Sequence, residues 1–187
     1  KVYPPSMIDG FKLVDEYIDG SDWRVNENSN QSYSLHGLSN FISNSVQSKY
    51  WLYEIYPENI RDAHLNADLH IHDLHLLSTY CCGWDLKDFL IRGFGGVEGF
   101  MEVSPPKHLD AALNQLIYEF YTLRHEAQGA QAISSFDTYM APFIRYDNLS
   151  YKQVKQKIQT FIYGMNLPVD KGFQVPFTNV TIDIKPE

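Results

Sequence analysis

The chain has 187 residues, of which 44% are hydrophobic, and this composition excludes an intrinsically disordered protein. Its formal net charge of −8 argues against direct nucleic-acid binding, because phosphate backbones are bound by clustered lysine and arginine. The two cysteines, Cys81 and Cys82, are adjacent and cannot form a disulfide framework, so a reducing, cytoplasmic compartment is expected. No apolar run reaches transmembrane length, and no membrane partner is expected.

The first third of the chain is predicted to be mostly helical. A short amphipathic helix, FKLVDEYI, is expected within residues 1–33, before a polar loop. Apolar residues then recur at helical spacing from about Asn40 to Tyr56. Pro57 suits the first position of a further helix that runs to about Asn66.

Residues 68–82, DLHIHDLHLLSTYCC, are predicted to form a strand because polar and apolar residues alternate in the segment. A short helix, WDLKDFLI, and a glycine-rich loop, RGFGGVEGF, are expected after it. The loop is a poor match to a phosphate-binding loop, because it follows a helix and lacks the Gly-Lys-Ser/Thr ending. We interpret it as a mobile loop.

The second half of the chain alternates between predicted helices and strands. A long helix is expected over 106–128, and a buried strand over 130–136. The helix has a core-facing apolar stripe, formed by Leu109, Leu113, Leu116, Ile117, Phe120 and Leu123. Ser150 and Gln153 form a capping box for another helix. Its expected apolar face is Val154, Ile158, Phe161 and Ile162. The final segment alternates in polarity and is predicted to be a strand, with Val180, Ile182 and Ile184 on one side.

Strands separated by helices of this length indicate βα units and a parallel sheet, so the fold class is α/β. About three strands are predicted, whereas a closed barrel needs eight or more. The sheet is therefore expected to be incomplete within this chain. We predict a single partial domain over 1–187, with 1–33 as a lead-in and 34–187 as the first βα units.

Two histidines suggest a possible metal site. On a strand, His70 and His72 share a face and offer two ligands, which His75 or Asp73 would complete. This pattern is typical of a metal-dependent hydrolase. The alternative is that the histidines form hydrogen bonds within a buried turn. Candidate ligands elsewhere in the chain are Asp137, His125 and Asp183.

The adjacent cysteines suggest a possible reactive thiol. Neighbouring residues on a strand point to opposite faces, so only one of Cys81 and Cys82 can face a site. The other is expected to pack as a small hydrophobic residue. This geometry leaves open which cysteine faces the site.

Hydroxyl and amide side chains accompany the two later strands. In a parallel sheet, ligands bind beyond the carboxyl ends of the strands, so these groups suit a polyhydroxylated or phosphorylated substrate. The alternative is that they cap adjacent helices. The residues concerned are Gln131, Ser134, Ser135 and Asp137 on one strand and Thr178 and Asn179 on the other.

Four segments together closely resemble the anaerobic, glycyl-radical (class III) ribonucleoside-triphosphate reductases. They are SYSLHGLSNFI, HIHDLHLLSTYCCGWDLKDFLIRGFGGV, GAQAISSFDTYMAPFIRYDNLSY and FQVPFTNVTIDI, and the similarity covers about residues 20–184. The resemblance implies the first strands of a ten-stranded α/β barrel. It also implies radical removal of the ribonucleotide 2′-hydroxyl.

The resemblance also assigns roles to individual residues. The family pattern Y-C-x-G-W-D-L places the cysteine that assists reduction at Cys81, with Cys82 at the variable position. The thiyl-radical cysteine would lie outside these 187 residues. The helix 106–128 would lie at a dimer face that binds regulatory deoxynucleotides, with Lys107 and Gln115 as contacts. The residues implied to lie near the substrate are His70, His72, Ser134, Ser135, Thr178 and Asn179.

The resemblance implies that this chain alone binds no cofactor and is inactive as an isolated fragment. The glycyl radical, the radical-SAM activase that installs it and a structural zinc would act from elsewhere. Expected partners are a ribonucleoside triphosphate, a deoxynucleotide effector, the C-terminal remainder of the enzyme and a second copy of the chain. The alternatives are the metal-dependent hydrolase and a non-catalytic piece that only binds nucleotide or assembles.

Overall fold

The computed structural model describes residues 8–22, 25, 33–93, 103–124, 126–127, 129–167 and 175–185. The chain divides into two compact units. The first comprises Lys1–Ser78 with Pro168–Gln174, and the second comprises Thr79–Leu167 with Val175–Glu187. Within the described ranges, no helix combines the length and the apolar character that crossing a membrane requires.

The first unit is helical, as predicted. It contains α1 (Gly10–Ile18), α2 (Leu35–Tyr50) and α3 (Glu58–Leu65), and α2 continues into a π-helical turn, Trp51–Ile55. The side chain of Ser34 caps α2 by accepting a hydrogen bond from the Gly37 backbone N–H at 2.9 Å. The core of this unit is formed by Leu13, Tyr17 and Phe41, which join α1 to α2.

The prediction of a strand over 68–82 was wrong for nearly all of that segment. Only Cys82 belongs to a strand, β1 (Cys82–Trp84). Ala67 and Asp73 adopt left-handed backbone conformations, with φ of 64° and 45°, which interrupt any extended run. The alternating histidine and apolar residues therefore lie in turns and irregular chain. The prediction failed because such a segment can show the same alternation of polarity as a half-buried strand.

The second unit contains the predicted parallel sheet. Its strands are β1, β2 (Gln131–Ile133) and β3 (Thr178–Val180), in the order β1-β2-β3. The register pairs Trp84 with Ile133 and Ile133 with Val180. The helices of this unit are α4 (Leu86–Arg92), α5 (Leu109–Leu123), α6 (Phe136–Tyr146) and α7 (Tyr151–Met165).

One face of this sheet lies against the main hydrophobic core. Ile133 is buried there, and Trp84 and Val180 pack against the same cluster. Most of the apolar stripe predicted for α5 is buried, which confirms that helix as core-facing. The buried residues of the cluster are Leu86, Leu109, Ala112, Leu113, Leu116, Phe120, Ile133, Met140, Phe161 and Met165.

Three details of the second unit differ from the predictions. Helix α6 was not predicted, because Pro142 inside it obscures the helical pattern. Ile162 on α7 is 52% exposed rather than buried, although the capping box of this helix is confirmed. The final strand ends at Val180, so Ile182 and Ile184 lie beyond it and are exposed.

Gln131 is fully buried and connects three elements of the second unit. Its Nε2 donates to the Phe120 carbonyl oxygen of α5 at 3.2 Å. Its Oε1 accepts a hydrogen bond from the Trp84 indole of β1 at 2.9 Å. Gln131 is therefore a core residue that satisfies its own polar atoms, rather than a member of a solvent-facing polar set.

We expect Gln131→Leu to lower the free energy of unfolding by about 1 to 3 kcal/mol, because it leaves the Trp84 N–H without its acceptor. The Phe120 carbonyl loses one of its two donors and keeps the Arg124 N–H at 3.1 Å. Urea denaturation measures this change. Gln159→Leu, at an exposed position of α7, is the matched control and should change stability by less than about 0.5 kcal/mol. Equal effects of the two substitutions would contradict the structural role of Gln131.

Candidate functional site

Among the residues that the structure describes, nothing covers the centre of the sheet face opposite the core, which is lined mainly by small residues. Because side chains alternate along a strand, the residues between the core-facing positions point to this face. The register pairs Gly83 with Ala132 and Ala132 with Asn179 across its centre. A Cβ atom built on Gly83 would meet nothing within 4 Å. The centre of the open face therefore has room for a ligand.

The two cysteines lie at the amino-terminal end of β1 in different environments. Cys81 directly precedes β1 and is exposed, two residues before Gly83 of the open face. Cys82 is half-buried, and its Sγ lies 3.1 Å from the Thr79 hydroxyl oxygen. The two thiols therefore differ in exposure, but strand alternation does not decide which of them faces the site, because Cys81 lies outside the strand.

The backbone of Gly129 packs closely against Tyr80 and Cys81. Gly129 was not identified from the sequence as part of the site. Its N–H donates to the Tyr80 carbonyl oxygen at 2.6 Å. A Cβ atom at this position would lie 2.8 Å from that oxygen and 3.0 Å from Cys81 Sγ. Glycine is therefore required for the close approach of the two chain segments. The only sequence signal is a glycine two residues before a buried strand.

Ser134 lies on the same open face at the other end of the sheet. It follows β2 directly, whereas Cys81 precedes β1, so the two are separated by about 13 Å along the strands. Asn179 lies at an intermediate level, paired with Ala132. These three residues form a track that is longer than one sugar ring and suits an extended ligand.

Two other predicted substrate residues point elsewhere. Thr178 is exposed, but it is paired with the buried Gln131 and by alternation lies on the side of β3 that carries Val180, opposite Asn179. Ser135 adopts a left-handed conformation, with φ of 54°, and its hydroxyl donates to Asp183 Oδ1 at 3.3 Å. The hydroxyl of Ser135 is therefore engaged within the protein.

His70 and His72 lie in the first unit, and they are not on a strand face. Both are exposed, and their ring centroids are 6.0 Å apart. His72 Nε2 lies 3.2 Å from Asp73 Oδ2. Burial lowers the pKa of His75, so this imidazole is held neutral more readily than a free one.

The metal-ligand pattern that the sequence suggested does not form among the described residues. The described part of the chain contains no group of three histidine, cysteine, aspartate or glutamate side chains that could hold a metal ion. Asp137 and Asp183 contact each other in the second unit, where the Asp183 N–H donates to Asp137 Oδ1 at 3.0 Å. His125 lies outside the described residues, as does most of the glycine-rich loop.

The proposed regulatory residues lie at the start of α5 and along it. Lys107 is exposed just before the helix, and Gln115 Nε2 donates to the Ser104 carbonyl oxygen at 3.1 Å. Gln115 Oε1 and Glu119 Oε2 are buried, and neither has a hydrogen-bond partner in the described structure. Burial raises the pKa of Glu119 to about 7. Sequence reasoning missed Glu119, whose one signal is its i,i+4 spacing from Gln115.

These features define an α/β protein with a partial parallel sheet, a helical layer on one face and an exposed thiol beside the other. The sequence model for anaerobic ribonucleoside-triphosphate reductase matches residues 27–187. The chain therefore belongs to the anaerobic ribonucleoside-triphosphate reductase family. This result confirms the family that the four sequence segments indicated.

Similar proteins support the assignment. The anaerobic ribonucleoside-triphosphate reductase of Escherichia coli K12 is 25% identical over 154 residues, which are 80% of this chain and 20% of that protein. The Haemophilus influenzae enzyme is 24% identical over 168 residues, which are 87% of this chain and 22% of that protein. This chain thus spans about a fifth of the length of these relatives.

Solved structures confirm the predicted fold class. The anaerobic ribonucleotide reductase of Thermotoga maritima with citrate in its active site gives a TM-score of 0.72 at 20% identity, covering 94% of this chain and 34% of that chain. The same enzyme in complex with dATP and CTP gives a TM-score of 0.67 at 20% identity, covering 95% and 32%. This chain has the fold of about a third of those structures.

Proposed function

We propose that this chain forms the first part of the catalytic barrel of an anaerobic reductase that converts ribonucleoside triphosphates to deoxynucleotides. The observation that carries the proposal is the position of Cys81, which is exposed and directly precedes β1 at the end of a floor formed by Gly83 and Ala132. Membership of the family supplies the chemistry. An open apolar floor beside a thiol suits a sugar ring that must approach the sulfur closely.

In the proposed reaction, Cys81 assists reduction at the ribose 2′ position. A thiyl radical on a cysteine outside these 187 residues abstracts the 3′-hydrogen from the opposite side of the ring. Asn179 and Ser134 are proposed to bind substrate hydroxyls or phosphates along the track described above. Ser135 and Thr178 are proposed to support these contacts. His70 and His72 are proposed to shape the site through the H-I-H-D turn.

The proposal also includes partners and cofactors. A glycyl radical, a radical-SAM activase and a structural zinc are proposed to act together with this chain, because membership of the family implies them. One solved Thermotoga maritima structure has dATP bound in the specificity site. By analogy, a deoxynucleotide effector is proposed to bind near Lys107 and Gln115 in a cytoplasmic homodimer.

We expect the complete enzyme that contains this segment to form dCTP from CTP under anaerobic conditions once its activase has acted. Chromatographic analysis of the nucleotides measures the product. The control omits the activase and should yield no dCTP. The proposal would be contradicted if CTP remained unchanged and the purified protein held stoichiometric zinc that the His72→Ala variant lacked. That combination would support the metal-dependent hydrolase.

A further inference from the structure

A polar clasp fixes the turn that follows β2. The turn begins at Ser134 and passes through Ser135 into α6. The chain that follows β3 runs beside it: the Ser135 N–H donates to Thr181 Oγ1 at 2.9 Å, and the Phe136 N–H donates to the Thr181 carbonyl oxygen at 3.0 Å. Residues after β3 therefore define the course of this turn.

Asp183 is the centre of the clasp, and both of its carboxylate oxygens are used. Oδ1 accepts from the Ser135 hydroxyl at 3.3 Å, and Oδ2 accepts from the Thr138 hydroxyl at 2.5 Å. In return, the Asp183 N–H donates to Asp137 Oδ1 at 3.0 Å. The half-buried carboxylate thus joins the last residue before α6 to the first turn of that helix.

These contacts stabilise a strained backbone conformation at Ser135. A left-handed φ of 54° is unfavourable for serine, and such a conformation persists only where surrounding contacts enforce it. The neighbouring Ser134 is exposed on the open face. A change in the backbone of Ser135 would redirect Ser134, since the two share a peptide unit.

We propose that Asp183 is a positioning residue of the reductase. Its carboxylate holds the backbone of Ser135 in the left-handed conformation. This conformation orients the neighbouring Ser134 so that it contacts the end of the substrate distant from Cys81. This inference rests on the proposed function and deepens it. Because Ser134 lies about 13 Å along the strands from Cys81, Asp183 governs substrate binding and not the chemical step.

The test compares steady-state kinetics of the complete enzyme with CTP as substrate. We expect Asp183→Ala to raise KM by about tenfold while kcat stays within about threefold of the wild type. Asp183→Asn preserves the side-chain volume and one acceptor oxygen, and should raise KM by a smaller factor. If the alanine variant fails to fold, the asparagine variant provides the same KM-against-kcat comparison.

Asp147→Ala is the matched control. Asp147 also uses both oxygens within the fold, accepting from the Leu109 N–H at 2.9 Å and contacting His108 Nδ1 at 2.7 Å. Its loss should destabilise the protein and leave KM for CTP unchanged. The positioning role is overturned if KM is unchanged in both Asp183 variants, or if kcat falls while KM stays constant. In either case, dCTP formation by the wild-type enzyme would still support the proposed reductase function. A wild-type enzyme that forms no dCTP overturns the proposed function itself.

Discussion

Cys81→Ser is expected to lower deoxynucleotide formation by the complete enzyme at least about 100-fold, which is the scale on which a positioned proton or hydrogen donor contributes to catalysis. The residue is exposed and directly precedes β1, next to the floor where the ribose is proposed to lie. A serine hydroxyl at the same position holds its hydrogen too strongly to replace a thiol in radical chemistry. An anaerobic assay of dCTP formation measures the loss.

The adjacent Cys82 provides the matched control for this experiment. Its Sγ faces away from the open side and lies 3.1 Å from the Thr79 hydroxyl, a contact that a serine hydroxyl can also make. We therefore expect Cys82→Ser to retain most of the activity. The assignment fails if the two results are reversed, with Cys82→Ser inactive and Cys81→Ser active.

Much of the fold could be predicted because apolar periodicity reports directly on burial. The stripe on α5 and the capping box of α7 both identified real helices, and three parallel strands followed from their spacing. The strand over 68–82 failed for a physical reason. Its course is set by left-handed residues at Ala67 and Asp73. Alanine gives no turn signal, and the weak signal of a single aspartate is masked by the alternation of polarity around it.

The candidate site could be predicted only in part. Alternation along a strand separates Asn179 from the adjacent Thr178. It cannot show that Gly83, Ala132 and Asn179 lie side by side, because that depends on strand register.

Side-chain contacts between distant segments were equally hidden. Asp183, considered in the sequence as a metal ligand, accepts hydrogen bonds from Ser135 and Thr138, more than 40 residues earlier in the chain. No local pattern predicts such a contact. The same holds for the bond between Gln131 and Trp84, which joins two strands inside the core.

Gly83→Val is expected to lower kcat/KM for CTP by about 100-fold, since a branched side chain would fill the floor where the ribose is proposed to lie and displace it from Cys81. The protein itself has room for the change, because a Cβ atom at Gly83 meets nothing within 4 Å. The backbone of Gly83 also lacks the positive φ seen at Gly20 and Gly93. Valine favours strands, so stability should not fall.

The most direct test of the open face as the substrate face is kcat/KM for CTP in the complete Gly83→Val enzyme, measured alongside its urea denaturation. Gly10→Ala is the control, because a Cβ atom at Gly10 likewise meets nothing within 4 Å and the residue lies on α1 in the other unit. We predict a loss of about 100-fold for Gly83→Val at unchanged stability, with Gly10→Ala fully active. Wild-type kcat/KM in a folded Gly83→Val enzyme would contradict the proposal that the substrate lies on this face.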